Sequence, residues 1–242
     1  MDEYNTPDFR VARQGFDSVD FQPSLRVGMP APEFELVDVE GHTVRLSEQT
    51  ANAHVVLIFG CLTSPVTSTH LPEINRMWEY FHWRGVQILF VYTREIHPGE
   101  RYPHHMSQFQ KIEAAREFQR IEEVRFPVLV DTLDGKVHRE YGPRPNPSFV
   151  VSREGRIVYR TPSVDPPTLR EYLTHLLLWD EVKEQKIPAH FVYMEQLRFQ
   201  IPDSQMHQKV LERAGPKAVR EQEMAHGGNI AGSAIDGNTS ER

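Results

Sequence analysis

Eight residues in three short segments carry the side chains best suited to chemistry: Cys61, Thr63, Ser64 and Pro65 in FGCLTSP, Glu95 and His97 in YTREIHP, and Asn146 and Pro147 in RPNPS. Ser64 precedes a proline and follows an apolar run, which places it where a strand would turn into a helix. Backbone N–H groups at such a terminus carry partial positive charge and lower the pKa of a thiol placed on them. A hydroxyl gains little, because it stays protonated near neutral pH and needs an adjacent base to attack anything. Ser64 therefore reads either as an N-cap with Pro65 at the first helical position or as the relic of a nucleophile site. A cysteine put there should acquire a depressed pKa. Cys61, the only cysteine, stands three residues earlier, at the end of the apolar run, where a lone thiol reads as a small hydrophobe. Glu95 and His97 can form a carboxylate–imidazole pair that orients or charges the ring, or a solvated loop pair.

The elements that must hold these residues are legible from hydrophobic spacing. Residues 1–27 read as an N-terminal arm, and two alternating runs around Glu40-Gly41 as a hairpin. His54–Phe59, Val86–Thr93 and Phe126–Thr132 read as buried strands. Val66–Arg84 and Ser107–Arg120 read as amphipathic helices, the second with Phe109, Ile112, Ala115 and Phe118 facing the core. Asp134–Tyr141 is a short helix, Pro147–Arg160 forms two strands around Glu154-Gly155, and Pro167–Lys183 is a helix with Leu169, Leu173, Leu176 and Leu177 inward. This order gives an α/β layer fold, a central mixed sheet with helices on both faces. Beyond it, Ala189–Gln200 is aromatic, Asp203–Ala225 is a charged helix broken near Gly215-Pro216, and the tail from Gly227 is small and polar. Trp78, Tyr80, Phe81 and Trp83 give one helix an aromatic face, read as core packing or as a groove for an aromatic ligand.

Composition narrows the function classes. Hydrophobic residues make up 39% and charged residues 25% of 242, enough for a packed core. A formal net charge of −7 argues against nucleic acid as a partner. One cysteine excludes an intramolecular disulfide and a resolving-cysteine cycle. The polar N-terminus has no secretory h-region and no segment approaches the ~20 apolar residues of a membrane span, so a cytoplasmic location is expected. His97, His104 and His105 share a loop but match no zinc spacing. Neither a metal nor a cofactor is expected.

The segment MPAPEFELVDVEGHTVRL resembles the opening hairpin of the redoxin families of the thioredoxin superfamily, which include peroxiredoxins and bacterial thiol–disulfide proteins. Phe59-Gly60-Cys61-Leu62-Thr63-Ser64-Pro65-Val66 more closely resembles the F-G-S-C-T-U-P-P turn of the iodothyronine deiodinases, in which U is selenocysteine. Tyr92–Pro98 is similar to their Y-I-E-E-A-H-P segment, and the likeness spans roughly residues 28–180. The resemblance implies a thioredoxin-like fold with Ser64 at the selenocysteine position, Cys61 at a serine position and Leu62 at a cysteine position. It implies a substrate-binding or proton-relay role for Glu95 and His97. It also implies that Pro147 matches the proline that thioredoxin folds hold in cis opposite the nucleophile.

Together these readings give a redoxin domain over residues 28–183, a helical extension over 184–226 and a flexible tail over 227–242. The first functional expectation is a deiodinase-like oxidoreductase by descent. It would bind a small aromatic or peroxide substrate through Thr63, Pro65, Asn146 and Pro147 beside Ser64, Cys61, Glu95 and His97. An external thiol reductant would complete any cycle. The second is a catalytically inactive subunit that assembles, as a homo-oligomer or with a protein partner, through residues 189–242.

Overall fold

The computed structural model describes residues 4–9, 25–188 and 202–230. Its centre is a seven-stranded mixed sheet. The strands are β1 (Glu35–Asp38), β2 (Thr43–Arg45), β3 (His54–Gly60), β4 (Val86–Tyr92), β5 (Val128–Val130), β6 (Ser148–Val151) and β7 (Ile157–Thr161), in the order β2-β1-β5-β4-β3-β6-β7. The three central strands β5, β4 and β3 run parallel and the outer pairings are antiparallel. This is the α/β layer architecture expected from the residue pattern, and the thioredoxin-like fold implied by the family resemblance.

Helices cover both faces, and strand alternation decides what each face receives. On one face Val56, Ile58, Ile88 and Phe90 pack against α2 (Pro65–Phe81), α3 (Gln108–Ile121) and α5 (Pro166–Glu184). On the other, Val55, Leu57, Phe59 and Leu89 meet α1 (Leu46–Thr50) and α4 (Lys136–Tyr141). A strand buried on both faces reads as an unbroken apolar run, which is why HVVLIF carries no alternation.

Some boundaries differ from the sequence pattern. β5 keeps only three residues, Val128–Val130, all paired with β4 and two of them also with β1. On α3, Ala115 and Phe118 are buried while Phe109, in the first turn, stands 70% exposed. Of the four aromatics on and after α2, Phe81 is core, Trp78 packs against it, and Tyr80 and Trp83 face outward, so the residues do not form one groove. Two further helices follow the domain, α6 (Ser204–Ala214) and α7 (Pro216–Ile230), divided at Gly215-Pro216. α7 continues through Gly227, where the composition suggested a tail. The aromatic stretch Ala189–Gln200 and the last twelve residues lie outside the described residues.

Candidate functional site

The β3–α2 turn forms as the sequence dictates. Ser64 is the N-cap of α2 with an extended backbone, its Oγ accepts from Thr67 N at 3.3 Å, and Pro65 takes the first helical position. The same Oγ donates to Asn146 Oδ1 at 2.6 Å, and Thr67 Oγ1 donates to that oxygen at 2.8 Å. Two donors on one amide oxygen hold the turn before β6 against the start of α2. Pro147 O accepts from Phe59 N at 3.1 Å, in line with the sheet pairing. The Asn146–Pro147 bond is trans, which corrects the cis geometry implied by the family likeness. The loop reaches Ser64 all the same, because the Asn146 amide bridges the gap.

Glu95 is the hub of the second cluster. Its Oε2 accepts from Thr63 N at 3.0 Å and Thr63 Oγ1 at 2.6 Å, and its Oε1 accepts from the Tyr92 hydroxyl. His105 Nε2 stands 3.4 Å from Oε1, within ion-pair range. Burial opposes the carboxylate charge, but His105, Thr63 and Tyr92 outweigh it and hold the Glu95 carboxyl below its usual range. Thr63 Oγ1 also accepts from the backbone N–H groups of Ile96 and His97 at 3.1 and 3.2 Å. Residues 95–97 are thereby tied to the β3–α2 turn through one threonine.

The expected Glu95–His97 pair does not form. His97 is turned away, its ring 4.2 Å from the Phe9 ring and 6.0 Å from the His207 ring, measured between centroids. Burial, with His207 adding to it against the pull of Glu95, lowers the His97 pKa to about 3, so the ring is neutral. Cys61 is 0% exposed, with Sγ 3.7 Å from Thr63 Oγ1. Burial first, and then the Glu95 charge, push its thiol well above the ordinary range. Cys61 is packing, as its place at a strand end suggests. Among the described residues His97, His104 and His105 do not converge on a metal-sized cage.

Sequence reasoning missed what covers this site. α6 lies along α2, and Arg213 on α6 reaches the β3–α2 turn. Its Nη2 donates to Leu62 O at 2.7 Å and to Ser68 Oγ at 3.0 Å, and its Nη1 pairs with Glu122 Oε1 at 2.7 Å. The loop between β4 and α3 is clasped from the same side. Ala214 O accepts from Arg101 N at 3.0 Å, and the Glu100 carboxylate accepts from Lys217 N at 2.9 Å at the start of α7. Gly99 lets the chains approach, since a Cβ there would fall 2.2 Å from Ala214 O. Residues 4–9 close the remaining side: Phe9 N donates to Glu221 Oε2 at 2.8 Å, and Lys217 Nζ pairs with Asp8 Oδ1 at 2.9 Å. Ser64, Thr63, Glu95, His97 and Asn146 are all buried as a result. Partners 151 residues apart, such as Leu62 and Arg213, leave no periodic signal in a sequence.

Comparison with known proteins places this geometry. The fold is that of thioredoxin-like proteins. The chain belongs to the AhpC/TSA family, whose pattern matches residues 27–160. It is similar to the thiol-disulfide oxidoreductase ResA of Bacillus subtilis, 28% identical over 153 residues, covering 63% of this chain and 74% of that protein. ResA of Geobacillus thermodenitrificans is 25% identical over 135 residues, 55% of this chain and 68% of that one. Among solved structures, a thiol:disulfide interchange protein DsbE from Chlorobium tepidum superposes with a TM-score of 0.51 at 24% identity, covering 64% of this chain and 97% of that one. A protein disulfide isomerase from Bacteroides thetaiotaomicron gives 0.54 at 18% identity, covering 67% and 95%.

Proposed function

We propose that this chain keeps the redoxin scaffold without thiol chemistry of its own and acts as a binding subunit, its ancestral site filled by its own terminal segments. The observation that carries this reading is the absence of a usable thiolate at the β3–α2 turn. Thiol–disulfide exchange starts from an accessible, deprotonated sulfur. Ser64 supplies oxygen instead, hydrogen-bonded to Asn146 with no base beside it, and the one thiol, that of Cys61, is buried with its pKa raised. The remaining capacity of such a protein is association, and residues 189–242 extend beyond the redoxin domain to serve it.

The test is the reduction of insulin by dithiothreitol, read as turbidity, beside labelling of Cys61. The full-length protein should give no acceleration over the blank, and Cys61 should label slowly until denaturant is added. Turnover that disappears in Cys61→Ala would overturn the reading.

A second reading is favoured by one feature, the buried Glu95 carboxylate bonded to Thr63 and Tyr92 behind the helix terminus. A scaffold alone has little use for a buried charge. In that reading the protein is deiodinase-like and binds a small substrate beside Ser64 once the cover opens, with an external thiol as reductant. Substrate-dependent release of halide that falls in Glu95→Gln would favour it over the first.

A further inference from the structure

Residue Tyr4 sits outside the redoxin domain in sequence, yet its side chain is buried in a socket built wholly from that domain. The phenol oxygen lies 2.7 Å from His138 Nδ1. The other ring nitrogen, Nε2, lies 2.6 Å from the backbone carbonyl of Arg144. A carbonyl only accepts, so Nε2 carries the proton and Nδ1 of the neutral ring is left as an acceptor. A group seated opposite His138 therefore satisfies Nδ1 only if it donates a hydrogen bond.

The walls select an aromatic ring. The Arg94 and Arg139 guanidinium carbons lie 5.1 and 5.2 Å from the Tyr4 ring centroid and the Lys111 ammonium 5.6 Å, three cations within reach of one π face or edge. Lys111 is itself fully buried and donates to Thr132 O at 2.8 Å, so its charge is fixed in place. The floor is Gly135 at a φ of +69°, where a Cβ would fall 2.0 Å from the ring. Burial keeps the phenol protonated, with its pKa raised well above its ordinary value.

We propose that this socket is a binding site for neutral phenols, and that Tyr4 is its intramolecular occupant. The donor that His138 calls for disfavours a plain phenyl group, and the cations favour an electron-rich ring over an aliphatic alcohol. A tethered tyrosine competes at an effective concentration of order millimolar, so an outside phenol enters only when Tyr4 leaves. Residues 4–9 help to cover both the socket and the Ser64–Glu95 cluster, but the socket is lined by other side chains and its test reads phenol binding rather than thiol chemistry, so the two readings fail separately.

The test uses full-length Tyr4→Ala titrated calorimetrically with p-cresol, with toluene, and with the nine-residue peptide of sequence MDEYNTPDF. Saturable p-cresol binding is expected in the variant, at least about tenfold weaker binding for toluene, which leaves the His138 acceptor unpaired, and no measurable p-cresol binding in wild type. Binding of p-cresol assigns the socket to small phenols. Binding of the peptide alone, lost when its tyrosine is phenylalanine, assigns it to tyrosyl side chains. Equal affinity for toluene and p-cresol, equal binding by wild type, or no binding of either phenol source overturns the proposal. Should Tyr4→Ala not fold, Tyr4→Phe keeps the ring and loses the donor. The same titration must then show p-cresol displacing the phenylalanine, and failure to do so is equally fatal.

Discussion

At Ser64 a hydroxyl stands on a helix N-terminus. The helix terminus that would stabilise a thiolate is intact, since Thr67 N still points at the side chain. The sequence alone suggests that Ser64→Cys would restore a depressed thiol pKa. The structure sets two effects against that. Asn146 Oδ1 faces the side chain as an acceptor and favours a protonated S–H, and burial disfavours the charged form. Ser64→Cys in a Cys61→Ala background should therefore label slowly in the native protein, and at least about tenfold faster once the cover over the turn is loosened by Arg213→Ala. Rapid labelling with the cover in place would mean that Asn146 and α6 do not control access.

At the scale of elements, α6 is held by a small number of strong contacts. Arg213 joins it to the β3–α2 turn and to Glu122, whose side chain is largely buried. Removing one partner of such a pair leaves the other charge without compensation. Arg213→Ala should cost about 1–3 kcal/mol, felt mostly as local opening. Native-state hydrogen exchange should quicken across residues 204–230 and across the first turn of α2, with β3 and β4 unchanged. Uniform acceleration through the sheet would show instead that α6 unfolds only with the whole domain.

For the molecule as a whole, burial of neutral histidines links stability to pH. His97 and His138 are both depressed to about 3, chiefly by burial. Between that value and about 6.5, the ordinary value for histidine, the unfolded chain binds protons that the folded chain refuses, so stability falls as pH falls through this window. The slope is about 1.4 kcal/mol per pH unit for each histidine, or roughly 2 kcal/mol each between pH 6.5 and 5. Denaturant melts over that range should show the loss, and His97→Phe, which keeps a ring against Phe9, should flatten it by about half. Carboxylates such as Glu95 and Asp180, held below their usual values, add their own losses only at lower pH. A flat profile from pH 6.5 to 5 would contradict the neutral burial of both rings.

The sequence by itself determined the elements and their order, because hydrophobic period, a proline after an N-cap serine, and glycine turns act within a few residues of one another. It also pointed to a buried Cys61 at a strand end and to Ser64 as the N-cap of the following helix, since both follow from local position. Only the tertiary structure decided which groups meet. His97 turns to Phe9 and His207 rather than to Glu95, and the trans Asn146–Pro147 turn is drawn to Ser64 by an amide. Arg213 seals the turn from a helix beyond the domain. Those contacts join residues tens to more than a hundred positions apart, where packing and charge pairing, not local propensity, choose the partner.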